Sequence, residues 1–545
     1  MCTESATTIT RTVTVAGGVF APGHLGELTQ WLPFELVDDV LARTRAVQRR
    51  LRVLPSRVGV YFVLALGLFP QLGYARVWDK LTAGLAGLDL PCPSEKALRD
   101  LRRRLGPAPF KALFEVIAGP LAWPYVPGVR FCGLRTVAFD GCSSLRAPAA
   151  GRAVAWLGRI RQAHGFAGYP ALRLMTLAET GTRGLLGAAI GAAADGGETA
   201  LARQLLHLLS PGMLVLADRA FDAAAFLAAV AGTGAQFLIR GKASRSPAVL
   251  QVLPDGSYLS RIGGLDVRII EADVAVTGAD GSRCGDSYRL ITTLADHRRF
   301  PADRLVQLYH ERWEIESAYL ALRHTLLGGR VLRSGDRPGL EQETWALLTL
   351  YQLLRMAMTD ATASVPGTDP DRASFTTALQ TAADQLITAQ GVIPAAPALP
   401  GAIGRAVLAA LLPARRLRYS ARKVKTAASR YPGRDDDSRP ALPAVITAIA
   451  ITIQAPAPGI NHRPRPRHRR EPTPGTLRHR LTTLMNTDPG RPWTGRELAA
   501  HLHLRPPSLF PALAHWTNAG HLIRTSPATY ALPTTPNHWT NSADP

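Results

Sequence analysis

The sequence predicts a mixed α/β core with helices before and after it. Between residues 130 and 240, short apolar runs (LRTVAFDG, ALRLMTLAET, RGLLGAAIG, GMLVLADRAF, QFLIRG) read as strands, and ETALARQLLHLLSPG and an Ala-rich stretch between them read as helices. The order is three strands, helix, strand, helix, strand. Apolar residues recur at helical spacing in LTQWLPFELVDDVLART and VGVYFVLALGLF upstream, and in Pro301 to Leu327 and TWALLTLYQLLRMAMT downstream. The third observation is chemical. Two of the strands run into an aspartate, Asp140 and Asp218, at the end where an α/β sheet presents polar side chains to a crevice.

Composition narrows the function classes. The 545 residues carry 63 Lys+Arg against 41 Asp+Glu, a net charge of +22, which calls for an anionic partner. With 46% hydrophobic residues the chain can build real cores, so a mostly disordered protein is excluded. No uncharged apolar stretch reaches the length of about 20 residues that a bilayer requires; Val58 to Phe69 is the densest run, and Ala441 to Ile453 contains Pro443. The opening MCTESATTIT lacks a basic n-region and an apolar h-region, so a cytoplasmic protein without membrane contact is expected. Five scattered cysteines form no C-x-x-C pair and no zinc spacing.

In chain order, residues 1–24 read as a flexible leader and 25–128 as an N-terminal helical domain. Ser94 is the expected N-cap of Glu95 to Leu105, whose exposed positions are assigned to Lys96, Arg99, Arg102, Arg103 and Arg104. That basic face is either simply solvated or in contact with phosphates. Residues 129–240 and 297–364 form the α/β core, interrupted by an inserted β region at 241–296. The Pro- and Ala-rich segment 365–475, with ARRLRYSARKVKTAASRYPGR and HRPRPRHRREP, reads as a linker or arm. At 476–535, Thr494 and Glu497 form a capping box and HLIR…TYAL pairs as a hairpin, so this segment resembles a winged helix-turn-helix whose third helix enters a major groove. A three-helix module that binds protein has the same pattern. Residues 536–545 are a tail.

A lone aspartate after a strand is a common turn former. The helix YHERWEIESAYLALRHTL adds weight, because Tyr309, Arg312, Glu316 and Arg323 stand at offsets 0, 3, 7 and 14 and fall within roughly 60° of arc on a helix. Leu308, Ile315, Leu322 and Leu326 occupy an adjoining arc, so the polar stripe borders a buried face. An exposed Arg312/Glu316 pair is the plainer account of the same spacing. Three carboxylates from separate elements make a hard oxygen donor set, which suits divalent cations and the charge neutralisation that phosphodiester chemistry needs. A G-x4-G-K-[S/T] loop is absent, which argues against nucleotide hydrolysis.

Y-x2-R-x3-E-x6-K after two strand-end aspartates, the second in an Asp-Arg dipeptide (Asp218-Arg219), resembles the signature of the DDE transposases of the insertion sequence 4 family. The resemblance covers about residues 25 to 360 and implies an RNase H-like catalytic core. It implies that Asp140, Asp218 and Glu316 bind two Mg2+ ions, with Mn2+ as a substitute. It also implies that Tyr309, Arg312 and Arg323 hold phosphates and that Arg219 assists. Trp313 either stacks on an unpaired base or packs in the core. The implied reaction is cut-and-paste: water cuts the element's end, the freed 3′-hydroxyl makes and resolves a hairpin, and the end joins target DNA. The implied partner is double-stranded DNA, gripped at paired ends by a homodimer associated with the nucleoid. One departure is visible, Arg323 at a position usually Lys, which keeps the charge while changing the contact geometry. The competing readings are a domesticated or inactive transposase that only binds DNA, and a plain nuclease of the same fold.

Overall fold

The computed structural model describes residues 23–532, apart from 51, 86, 124, 160, 163–164, 167, 279–282, 311, 313–317, 391–399, 415–445, 457–476, 489 and 519–520. Glu316 and Trp313 therefore lie outside the described residues, as do both arginine-rich runs of the expected arm. The chain divides into two compact units, residues 1–461 and 462–545.

Among the described residues the first unit opens with five α-helices, α1 (Phe34–Arg43), α2 (Ser56–Leu68), α3 (Tyr74–Thr82), α4 (Glu95–Leu105) and α5 (Ala108–Ile117). Ser94 caps α4 by accepting from the Ala97 N–H at 3.2 Å, and Gly106, with φ of 65°, closes it. His24, expected in a flexible leader, is fully buried beside Leu81.

The sheet follows from strand periodicity. Its order is β3 (Leu185–Gly191), β2 (Ala171–Glu179), β1 (Leu134–Arg146), β4 (Met213–Ala217), β5 (Gln236–Arg240), β8 (Arg283–Thr292), β7 (Leu265–Gly278) and β6 (Tyr258–Ile262), with Gln251–Val252 at the edge. β1, β2 and β3 form an antiparallel meander, while β4 lies parallel to both β1 and β5. This mixed order fits an RNase H-like core. Alternating side chains divide between two cores: Ala138, Leu214 and Leu216 face one side, and Val137, Phe139, Val215 and Ala217 the other. Helices α6 (Glu198–Arg203) and α7 (Ala224–Ala231) cover the second side, with Leu201, Phe226 and Leu227 buried there.

The segment expected as a separate β insertion continues the core sheet. Leu290 pairs with Arg240 and Ile291 with Ile239, so β8 joins directly onto β5. The β6–β7 hairpin turns on Gly263 and Gly264, whose φ values of 57° and 86° match the tight turn that a two-residue connection demands.

The first side is covered by helices, among them α8 (Ala302–His310) and the 27-residue α9 (Arg337–Ala363). Asp336 caps α9 by accepting from the Gly339 N–H at 3.0 Å. Leu350, Tyr351, Leu353 and Leu354 are all fully buried on successive faces, as expected of a helix enclosed all round. It packs against α2, α5, α10 (Phe375–Thr388) and α11 (Ala402–Ala409). That packing corrects the expectation of an arm over 365–475: α10 and α11 bury Phe375, Ala382, Leu386, Ile403 and Val407 in the main core. β9 (Ile446–Ile453) pairs antiparallel with β7, Val274 opposite Ile451. The Pro- and Ala-rich composition of this stretch conceals buried helical faces on which Phe375, Leu386, Ile403 and Val407 sit among alanines.

The second unit has its own core of Leu481, Met485, Trp493, Leu498, Leu509, Leu513, Leu522 and Tyr530. It holds α12 (Leu477–Met485), α13 (Gly495–His501), α14 (Pro506–Asn518) and a three-stranded antiparallel sheet of Trp493–Thr494, Ile523–Ser526 and Thr529–Ala531. Thr494 and Glu497 satisfy each other's main-chain N–H groups, at 3.2 Å and 2.8 Å. Among the described residues no helix is long and apolar enough to cross a membrane.

Candidate active site

Strand register builds the site. Arg135 pairs with Met213 and Ala138 with Leu216, so the parallel ladder ends two residues before Asp140 on one strand and two before Asp218 on the other. The strands that carry them are parallel neighbours, about 4.8 Å apart. Alternation turns both side chains to the face that bears Ala138, Leu214 and Leu216, where α8 and the residues around Ala321 pack.

The two aspartates are held differently. Asp218 follows the last residue of β4 and caps the short turn Arg219–Phe221, its Oδ1 accepting from the Ala220 N–H at 2.8 Å. It makes no ion pair with a described residue, and it is half-buried. Asp140 does not end its strand. β1 continues to Arg146 in pairing with β2, and what stops near Asp140 is the parallel ladder to β4. The Asp140 Oδ1 accepts from the Gly141 N–H at 3.0 Å. A Cβ at Gly141 would fall 2.9 Å from the Glu198 carboxylate, so the exposed Glu198 side chain packs close over this backbone.

The described parts of the acidic segment depart from the expected single α-helix. α8 is described to His310, Arg312 lies in a turn, Ala318–Leu320 are helical, and Ala321–Leu326 forms a π-helical turn with Leu327 N–H bonded to Leu322 O at 3.0 Å. A π turn uses i→i+5 bonds, so the arc computed for Arg323 on an ideal α-helix does not apply. Arg323 is half-buried and its guanidinium lies against its neighbour, 2.6 Å from His324 Nε2. Tyr309 is buried, and its hydroxyl donates to the Ala217 carbonyl at 3.2 Å, directly before Asp218. Arg312 is buried too, with its guanidinium 5.9 Å from the Tyr309 ring centre. Tyr309 and Arg312, expected at phosphates, are thus buried, while Arg323 is partly accessible. Arg219 is exposed beside Asp218.

Sequence reasoning missed Tyr319. Its hydroxyl donates to the Asp140 carbonyl at 2.6 Å and lies 2.8 Å from Thr176 Oγ1. Burial first, and the Asp140 charge second, push its phenol well above the ordinary range. A signal was present: Tyr319 stands at offset ten from Tyr309, close to the same helical stripe. Among the described residues no group of three or more metal-ligating side chains occurs. Asp140 and Asp218 are two such groups, and Glu316 is not described.

The basic helix α4 also splits by role. Arg102 is buried, bonded to Gln342 Oε1 at 3.0 Å, Tyr74 Oη at 2.5 Å and Ser334 Oγ at 3.0 Å. The expectation that it lies exposed is corrected: it ties α4 to α9. Arg99 and Arg103 remain exposed and, with Arg152, line a groove of about 670 Å³. Their ion pairs to Glu95 and Asp100, both 3.7 Å, are solvated and weak.

A domain model described as insertion element 4 transposase N-terminal matches residues 22–115, and one described as transposase DDE domain matches residues 136–353. The transposase InsG for insertion sequence element IS4, from Escherichia coli strain K12, is 28% identical over 422 residues, covering 75% of this chain and 93% of that protein. A solved piggyBac transposase synaptic complex with hairpin DNA covers 76% of this chain and 87% of its own at 9% identity, with a TM-score of 0.35, too slight a likeness to carry an argument. A mixed sheet inside a matched DDE domain, together with the InsG relative, marks a DDE transposase. The chain belongs to the insertion sequence 4 family of these enzymes.

Proposed function

We propose that the protein is a DNA transposase that cuts and joins phosphodiester bonds at the ends of an insertion sequence by a cut-and-paste, two-metal route. Family membership supports the enzyme class, and the observation that carries the site reading is the parallel ladder that ends two residues before each of Asp140 and Asp218. The donors fit a hard cation: both are carboxylates, half-buried at the sheet's crevice, and Asp218 has no neutralising ion pair among the described residues. Asp140, Asp218 and Glu316 would hold Mg2+, for which Mn2+ can substitute. When bound, the metal supplies charge neutralisation at the scissile phosphate and acidifies water.

The chain's own residues do the rest. Tyr309 and Tyr319 fix the main chain next to each aspartate, so the carboxylates meet the scissile phosphate at a set spacing. Arg219, exposed beside Asp218, binds a phosphate oxygen next to the cut. Arg323 needs only a side-chain rotation away from His324 to reach the backbone. Hydrolysis at the element's end frees a 3′-hydroxyl, which attacks the opposite strand and, once the hairpin is reopened, target DNA. Trp313 is placed by the sequence beside Arg312 to stack on an unpaired base. The groove with Arg99, Arg103 and Arg152 follows the DNA backbone, and the second unit, with helices and sheet in winged-helix order, adds a further DNA contact. Two copies act on paired ends.

Asp218→Asn tests this reading. The variant should bind labelled end DNA like the parent and leave it uncut in Mg2+ or Mn2+. A variant that still cuts would remove Asp218 from the site.

A further inference from the structure

We infer that Tyr319 is a positioning residue for DNA cleavage, its hydroxyl fastening the acidic helical segment to the Asp140 strand. The inference rests on the proposed metal site and deepens it. Tyr319 stands three residues after Glu316 in sequence, and its hydroxyl reaches the Asp140 carbonyl at 2.6 Å. A phenol has one proton, and the carbonyl can only accept, so Tyr319 donates to Asp140. The 2.8 Å contact to Thr176 then runs the other way, with the threonine hydroxyl donating to the phenol oxygen. Thr176 is the β2 partner directly opposite Asp140. The result is a directed chain, Thr176 to Tyr319 to Asp140, in which no proton is shared ambiguously. It links β2, the acidic helix and the strand that carries the first aspartate.

A second fastening lies on the other side of Glu316. Tyr309, seven residues before it, donates to the carbonyl that precedes Asp218. The two tyrosines therefore bracket Glu316 in sequence, and each is bonded to main chain at or next to one of the two aspartates. Tyr309 belongs to the Y-x2-R-x3-E-x6-K pattern, and Tyr319 does not. Groups that orient a metal's ligands carry effects of about 10- to 100-fold on metal affinity or activity when removed.

The test compares the full-length parent with Tyr319→Phe, which keeps the ring and deletes the hydroxyl, and with Thr176→Val, which keeps the Tyr319–Asp140 bond. Mn2+ binding in the absence of DNA is read by the electron paramagnetic resonance of the free ion, alongside end binding without metal, end cleavage and thermal unfolding. Tyr319→Phe should weaken Mn2+ binding and slow cleavage at saturating DNA by about 10- to 100-fold, with end binding unchanged. Thr176→Val should give a smaller loss of the same kind. Parent-like Mn2+ binding and cleavage in Tyr319→Phe, with Asp218→Asn inactive in the same assay, overturns the inference alone. A loss explained wholly by lowered unfolding temperature, with parent-like Mn2+ affinity well below it, also overturns it. If Asp218→Asn still cuts, the metal reading falls and takes this inference with it.

Discussion

Replacing Arg99, Arg103 and Arg152 together by Gln should flatten the salt dependence of DNA binding. The structure selects these three because they line one groove and are exposed, the described contacts of Arg99 and Arg103 being solvated ion pairs and, for Arg99, an exposed hydrogen bond to the Glu95 carbonyl. Arg102 and Arg333, in the same groove, are excluded: the first is tied to Gln342, Tyr74 and Ser334, and the second donates to the Leu72, Phe69 and Pro70 carbonyls. If each of the three neutralises one phosphate, the slope of log K against log salt loses about 0.9 per contact, or about 2.7 in all. Over a fourfold rise in salt, the triple variant should then lose about 40-fold less affinity than the parent. Fluorescence anisotropy with labelled end DNA between 50 and 200 mM KCl measures both slopes. Parallel lines would show that the groove does not follow the DNA backbone. Arg102→Met supplies the contrast, since it should lower the unfolding temperature and leave the slope alone.

Three further outcomes are expected. Arg323→Lys should preserve or raise cleavage, because the charge stays and a more compact donor replaces the guanidinium; complete loss in the cleavage assay would show that Arg323 has a duty the ammonium cannot perform. Leu386→Ala should cost about 2–5 kcal/mol in urea unfolding, since the side chain is fully buried on α10; a cost near zero would return residues 375–388 to an arm. His24 is buried and its pKa is lowered to about 4 by desolvation, with Nδ1 accepting from the Gly26 N–H and Nε2 donating to the Leu81 carbonyl. Below the ordinary value of 6.5 the unfolded chain takes up a proton that the folded site refuses, so stability should fall between pH 6.5 and 4, by on the order of 3 kcal/mol. Urea midpoints across that range should show a smaller decline for His24→Gln, and identical declines would refute the assignment.

The catalytic-core strands were legible because each is a short apolar run bounded by turn residues, with alternate side chains buried in the two cores on either side of the mixed sheet. Two features were hidden for physical reasons. The continuation of the sheet from β5 into β8 depends on a pairing across about 50 residues of chain, for which a local pattern holds no register information. The helices α10 and α11 bury mainly alanine, leucine and isoleucine in a stretch also dense in proline, so their composition suggested a linker although their packing is that of a core.

At the site, residue types proved easier to read than partners. Asp140 and Asp218 were legible because each follows an apolar run, although a lone aspartate there commonly forms a turn, as Asp218 does, and Asp140 proves to lie inside its strand. Tyr309 and Arg312 were recognised by spacing, but spacing cannot distinguish a side chain that faces DNA from one that braces the strand behind the carboxylates. Burial separates them: both are nearly inaccessible, and the Tyr309 hydroxyl ends on a main-chain carbonyl. Tyr319 escaped because its partner is also a carbonyl, a group every residue has and no motif records. A metal site built from strand ends and a helix must be fastened through such carbonyls, since its carboxylates have to remain available to the cation. The tyrosines that flank an acidic residue are therefore where the support of such a site is to be sought.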